Sequence, residues 1–133
     1  MAKKINILQV DNSRAIILYT KILLMEVSGI QAIESAYSLA EAKTVLHAKV
    51  MDVVILDINL PDGNGLTLLE WIKQHYPAMT VIMFTNNSDL FFRKAAKKAG
   101  ADHFLDKSME FEGLIKILKT LKLKQTLSHE TSL

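Results

Sequence analysis

Five short apolar runs rich in branched side chains recur along the 133-residue chain, separated by stretches whose apolar residues fall at helical spacing. That alternation is the strongest constraint in the sequence. Successive parallel strands need crossover connections, and helical crossovers cover both faces of the sheet they join. The expected strands are Ile5–Val10, 31–36 as a weakly alternating edge strand, Val53–Leu56 as a fully buried centre, 81–84, and a short last one at 103–105. Helical spacing over 13–27 stops near Gly29, and Ser38 with Glu41 forms a capping box for a second helix. Leu66, Leu69, Ile72 and Tyr76 line a third, which must end before Pro77 because the residue preceding proline disfavours the helical region. Ser88 is the expected cap of a fourth helix closed by Gly100. Phe111, Leu114, Ile115, Leu118 and Leu121 stripe a fifth, with Glu110 and Glu112 near its positive end. The reading is a doubly wound α/β domain over 1–124, followed by a polar tail at 125–133 with no period and no expected structure.

Composition narrows the function classes. Half of the residues are hydrophobic and 23% are charged, enough apolar material for one core. With no cysteine there is no disulfide framework, thiolate zinc site or cysteine nucleophile, and the reducing cytoplasm is the expected compartment. The apolar run after Lys3-Lys4 is too short for a signal sequence, and the longest unbroken run, 15–19, is far below the roughly 20 residues of a membrane helix. A net charge of +2 is poor ground for nucleic-acid binding, so neither nucleic acid nor membrane is an expected direct partner.

In an open parallel sheet the ligand crevice lies beyond the carboxyl ends of the strands. Four of the five expected ends carry reactive or ligating side chains: Asp11-Asn12, Asp57, Thr85, and Lys107 in the loop after the last strand. Any one alone reads equally well as a helix cap, but four on one rim argue for a shared site. Two carboxylates held close repel unless a cation offsets them, and their hard oxygens suit Mg²⁺. A neutralised strand-end carboxylate can act as an oxygen nucleophile toward phosphorus, and Asp57 is the candidate. Lys107, Thr85 and the metal ion would then stabilise charge on the transferred phosphoryl group.

The sequence resembles a response-regulator receiver domain of two-component signalling, chemotaxis-receiver-like, over nearly all residues to 124. The resemblance rests on Ile7-Leu8-Gln9-Val10-Asp11-Asn12-Ser13, then Ile55-Leu56-Asp57-Ile58-Asn59-Leu60-Pro61-Asp62-Gly63-Asn64-Gly65, then Phe84-Thr85-Asn86, then Gly100-Ala101-Asp102 and Phe104-Leu105-Asp106-Lys107-Ser108. It implies a flavodoxin-like (βα)₅ sheet in the order 2-1-3-4-5. It further implies that Asp57 is the phosphoacceptor, charged by a histidine kinase or phosphotransfer protein, and that the chain is no enzyme beyond slow self-dephosphorylation. Thr85 and Lys107 match the phosphoryl-sensing pair, Phe104 the aromatic switch, and Asn59 the backbone carbonyl ligand of a divalent cation. Asp11, Asn12 and Asp57 complete the expected metal set, while Asn59 and Asn87 sit where the site mouth tunes dephosphorylation.

Three departures from the family pattern carry mechanism. Receivers usually have a second acid where this chain has Asn12, an uncharged ligand that implies weaker metal binding. Asn86 replaces a small residue beside the threonine and narrows access. Lys107-Ser108 replaces the commoner lysine-proline, and without proline a cis bond would cost about 2.5–4 kcal/mol.

The implied output surface is the fourth helix, fifth strand and fifth helix, through which the chain would contact a downstream protein or form a homodimer. Its expected residues are Phe91, Phe92, Arg93, Lys97 and Phe104; adjacent Phe91 and Phe92 cannot both face inward. The reading is of a stand-alone receiver signalling by protein contact. A small phosphatase with an aspartyl nucleophile would want a cap domain, and a nucleotide-binding flavodoxin relative a Gly-rich first loop. The stronger rival is a receiver-like protein-binding module that works without phosphorylation, its metal site blunted by Asn12.

Overall fold

A computed structural model describes residues 4–131, with side chains described for 4–121. The elements run β1 (Ile5–Val10), α1 (Arg14–Leu24), β2 (Ile30–Ala36), α2 (Leu39–Ala48), β3 (Val53–Leu56), β4 (Asn59–Leu60), β5 (Gly63–Asn64), α3 (Gly65–His75), β6 (Thr80–Thr85), α4 (Leu90–Lys98), β7 (His103–Asp106) and α5 (Phe111–Thr131). Five strands form one parallel sheet in the order β2-β1-β3-β6-β7. Counted along the five main strands this is the order 2-1-3-4-5. The antiparallel pair β4 and β5, two residues each, was not foreshadowed by any period in the sequence.

Each face of the sheet carries its own core. Leu8, Val10, Val54, Leu56, Val81 and Met83 pack with Leu46, Leu68, Leu69, Ile72 and Ala96 of α2, α3 and α4. On the other face Ile5, Ile7, Val53, Ile55, Ile82 and Phe84 meet Leu24 of α1 and Leu114 and Leu118 of α5. All four side chains of β3 are buried, each stabilising the fold by about 1.5–3 kcal/mol relative to exposure. That double-sided burial is why the Val-Val-Ile-Leu run shows no alternation.

Local signals mostly act as expected. Ser13 Oγ accepts from Ile16 N and caps α1, which is shorter than the apolar spacing suggested and ends at Leu24. Ser38 Oγ accepts from Glu41 N, although the Glu41 carboxylate reaches back to the N–H of Tyr37 rather than to that of Ser38. The third helix ends at His75, two residues before Pro77. One cap is corrected: Asp89, not Ser88, starts α4, its Oδ1 accepting from Phe92 N at 3.1 Å. The Ser88 hydroxyl is instead drawn to the Asp106 carboxylate at 2.5 Å. Helix α5 continues to Thr131, through most of the span read as a polar tail; residues 132–133 lie outside the described residues. Among the described residues no helix is long and apolar enough to cross a membrane, and no peptide bond is cis, that of Lys107-Ser108 included.

Candidate functional site

The carboxyl ends of β1, β3 and β6 and the loop after β7 converge. The backbone N–H of Asp57 donates to Val10 O at 3.0 Å, tying the start of its loop to the end of β1. The Asp11 N–H donates to Ala36 O at 3.1 Å, and its Oδ1 accepts from Ser13 N at 2.8 Å, turning the chain into α1. Behind Asp57 the chain doubles back through β4 and β5, and Gly65 N donates to Ile58 O at 2.6 Å. A Cβ built on Gly65 would sit 2.0 Å from the Asp57 carbonyl oxygen, so only glycine admits this approach.

Lys107 closes the pocket. Its Nζ donates to Asp11 Oδ2 at 2.5 Å and to Asp57 Oδ2 at 2.8 Å, with all three side chains under a tenth exposed. Its backbone N–H donates to Thr85 O at 3.0 Å, continuing the β6–β7 ladder in which Thr85 faces Asp106. Thr85 is fully buried, and its hydroxyl oxygen accepts from Asn87 N at 3.2 Å. The structure thus brings Asp11, Asp57 and Lys107 into direct contact and sets Thr85 on the adjoining backbone.

Two carboxylates facing one ammonium leave the pocket one negative charge in excess. Burial pushes the Asp11 carboxyl above its ordinary range, outweighing the Lys107 and Ser13 hydrogen bonds that act the other way. For Lys107 burial opposes the charge, but its bonds and attractions to Asp11 and Asp57 prevail and hold the ammonium charged above its usual range. An under-neutralised pair of carboxylates is what a further hard cation would relieve. Among the described residues no three acidic or imidazole side chains converge as a metal cluster, so such an ion would meet two carboxylates and neutral donors. Asn12 is exposed and Asn59 lies exposed on β4, at the pocket's rim rather than in its floor. Two carboxylates with neutral oxygen donors at the rim are of the hard type that suits Mg²⁺.

The remaining expected residues lie around the β6–α4–β7 side. Phe104 is half-buried against the α2–α3–α4 core, with the Arg93 guanidinium 4.9 Å above its ring. Phe92 packs partly inward while Phe91 is 71% exposed, their rings 5.3 Å apart edge to face, as two adjacent aromatics on a helix require. Lys97 is exposed on α4, and half-buried Asn87 reaches Thr85 only through its backbone. Trp71 lies against the core beside His47, His75 and Tyr76.

Sequence reasoning missed three residues around the site. Gly65 was quoted but given no role, and Asp62 caps α2 by accepting from Leu39 N and Ala40 N at 2.8 and 3.0 Å. Asp106 binds Ser88 and Ser108 beside Lys107. The only signal for Asp106 was an acid placed directly before the lysine.

Comparison with known proteins gives a consistent result. Residues 7–119 match the family model described as the response regulator receiver domain. Response regulator protein PilR of Pseudomonas aeruginosa is 35% identical over 97 residues, 72% of this chain and 22% of PilR. Transcriptional regulatory protein MalR of Bacillus subtilis is 31% identical over 121 residues, 91% of this chain and 52% of MalR. The chain therefore spans between about a fifth and about half of these relatives. A CheY-like receiver domain protein from Methanospirillum hungatei superposes with a TM-score of 0.84 at 28% identity, covering 95% of this chain and 99% of that one.

Proposed function

The chain belongs to the response-regulator receiver family, and from that premise we propose that Asp57 accepts a phosphoryl group from a histidine kinase or phosphotransfer protein, with Mg²⁺ bound. The observation that carries the reading is the buried Asp11–Lys107–Asp57 cluster at the carboxyl edge of the sheet. An Asp57 carboxylate oxygen attacks phosphorus as the donor's P–N bond breaks, and the electron pair leaves with the imidazole nitrogen, which takes a proton from water. Lys107, already charged and already bonded to Asp57, meets the negative charge on the outer phosphoryl oxygens without reorganising. The Thr85 hydroxyl, which donates to no acceptor among the described residues, is free to donate to one of those oxygens. Asp11, Asp57, the Asn59 carbonyl and the Asn12 amide would hold Mg²⁺. When bound, the ion offsets repulsion between the carboxylates and the incoming group.

Output follows from the surface formed by α4, β7 and α5, where Phe91, Phe92, Arg93, Lys97 and Phe104 cluster, toward a protein target or a second copy of the chain. A reducing cytoplasm suits a chain with no cysteine. Incubation with acetyl phosphate and Mg²⁺ tests the reading. The expected result is a gain of one phosphoryl mass that disappears in Asp57→Ala, whereas an unmodified wild-type chain favours a receiver-like binding module that works without phosphorylation.

A further inference from the structure

We infer that Asp106 is a positioning residue that latches the turn following Thr85 to the loop carrying Lys107, so that phosphoryl capture has to be worked against this latch. The inference rests on the proposed phosphoacceptor role and adds to it a control element built from this chain's own residues.

The latch is made of bonds that cross between two loops. Asp106 Oδ2 accepts from Ser88 Oγ at 2.5 Å, three residues beyond Thr85. Its Oδ1 accepts from both the N–H and the hydroxyl of Ser108, at 2.9 and 2.6 Å, one residue beyond Lys107. Here the replacement of the commoner proline acquires a purpose, because proline has neither donor. The Asp106 N–H donates to Glu110 Oε1 at 3.0 Å, and the same oxygen accepts from Arg93 Nη2 at 3.1 Å. Arg93 in turn donates through Nε to Ser88 O at 2.8 Å and stacks over Phe104. One carboxylate thus joins the end of β7, the turn into α5, and the turn into α4.

The direction of the effect follows from where Thr85 must go. If phosphoryl arrival draws the Thr85 hydroxyl toward Asp57, the following turn moves with it, since Asn87 N is bonded to that hydroxyl. Ser88 lies in that turn and is tied to Asp106, so movement of the turn toward Asp57 works against that bond. The charge on Asp106 is secure, because its bonds to Ser108 and Ser88 depress its pKa to about 2. A ligand that favours the inward arrangement therefore binds more weakly while the latch is closed, by the free energy of the latch.

The test uses the full chain and the Ser88→Ala, Asp106→Ala and Ser88→Thr variants, with beryllofluoride plus Mg²⁺ as the phosphoryl mimic. We expect Ser88→Ala and Asp106→Ala to bind the mimic roughly fivefold or more tightly, and Ser88→Thr, which keeps the hydroxyl, to match wild type. Unchanged or weakened binding in both alanine variants overturns the inference. A second arm needs no mimic. Amide exchange at Asn87 should quicken in Asp106→Ala, and exchange at Ser108 should quicken in Ser88→Ala, because coupling is reciprocal. If the wild-type chain takes up neither beryllofluoride nor phosphoryl mass, the phosphoacceptor reading fails. The exchange arm still decides the latch, which is lost if each amide ignores the distant substitution.

Discussion

Lys107→Met removes the ammonium in contact with two buried carboxylates while keeping most of the side-chain volume. With side-chain exposures of 7%, 7% and 8% for Lys107, Asp11 and Asp57, the carboxylates left behind cannot recover their hydration in place. Breaking a buried pair by deleting one partner costs about 3–5 kcal/mol. Here the loss has an outlet, because Asp11 already has its pKa raised by burial and loses the hydrogen bond that opposed the rise. A carboxyl whose folded pKa lies above its unfolded value binds more protons when native, so stability falls as pH rises between the two values and returns as pH drops. Each pH unit of that window is worth about 1.4 kcal/mol for one proton. Urea denaturation without divalent cation, at pH 7 and again at pH 5, should show a large deficit against wild type at the first pH and a smaller one at the second. A deficit below about 1 kcal/mol at pH 7, or one equal at both, would refute the assignment of Lys107 as the pocket's counter-ion.

Gly65→Ala forces a Cβ to within 2.0 Å of the backbone carbonyl oxygen of Asp57, so about 2–3 kcal/mol of stability should be lost. Thermal melting checks it, and an unchanged midpoint refutes the close approach. Asp62→Ala should lower the urea midpoint at pH 7 by uncapping α2. Bonds from Leu39 and Ala40 hold the Asp62 pKa below its ordinary value, so its contribution is present above the unfolded value and fades in acid; the gap to wild type must close toward pH 3. Asn12→Asp adds a third carboxylate beside the pocket and should tighten Mg²⁺ binding by roughly tenfold in a calorimetric titration; equal affinities would remove Asn12 from the metal set.

What the sequence disclosed and what it hid divide along the range of the interactions. Val53–Leu56 announced a central strand because every side chain is apolar, and Ser38 announced a helix start because a cap bonds within three residues. The rim of Asp11, Asp57, Thr85 and Lys107 was readable because each follows an apolar run, and parallel pairing brings such ends to one edge. Ser88 and Asp89 are both competent caps, and the choice between them is made by Asp106, 18 residues further on, which takes the serine hydroxyl. Gly65 looks like an ordinary turn glycine until the Asp57 carbonyl is placed against it. The two-residue β4–β5 ladder is too short to print a period. Local chemistry is written in neighbouring letters, whereas competition between distant partners is not.

The bond from Lys107 to Asp11 spans 96 positions of the chain. A nascent polypeptide leaving the ribosome therefore displays Asp11, then Asp57, long before their counter-ion emerges, and the charged trio forms only when the final strand docks on the sheet edge. Completion of the pocket thus marks the arrival of the sheet's fifth strand, with only the last helix still to pack.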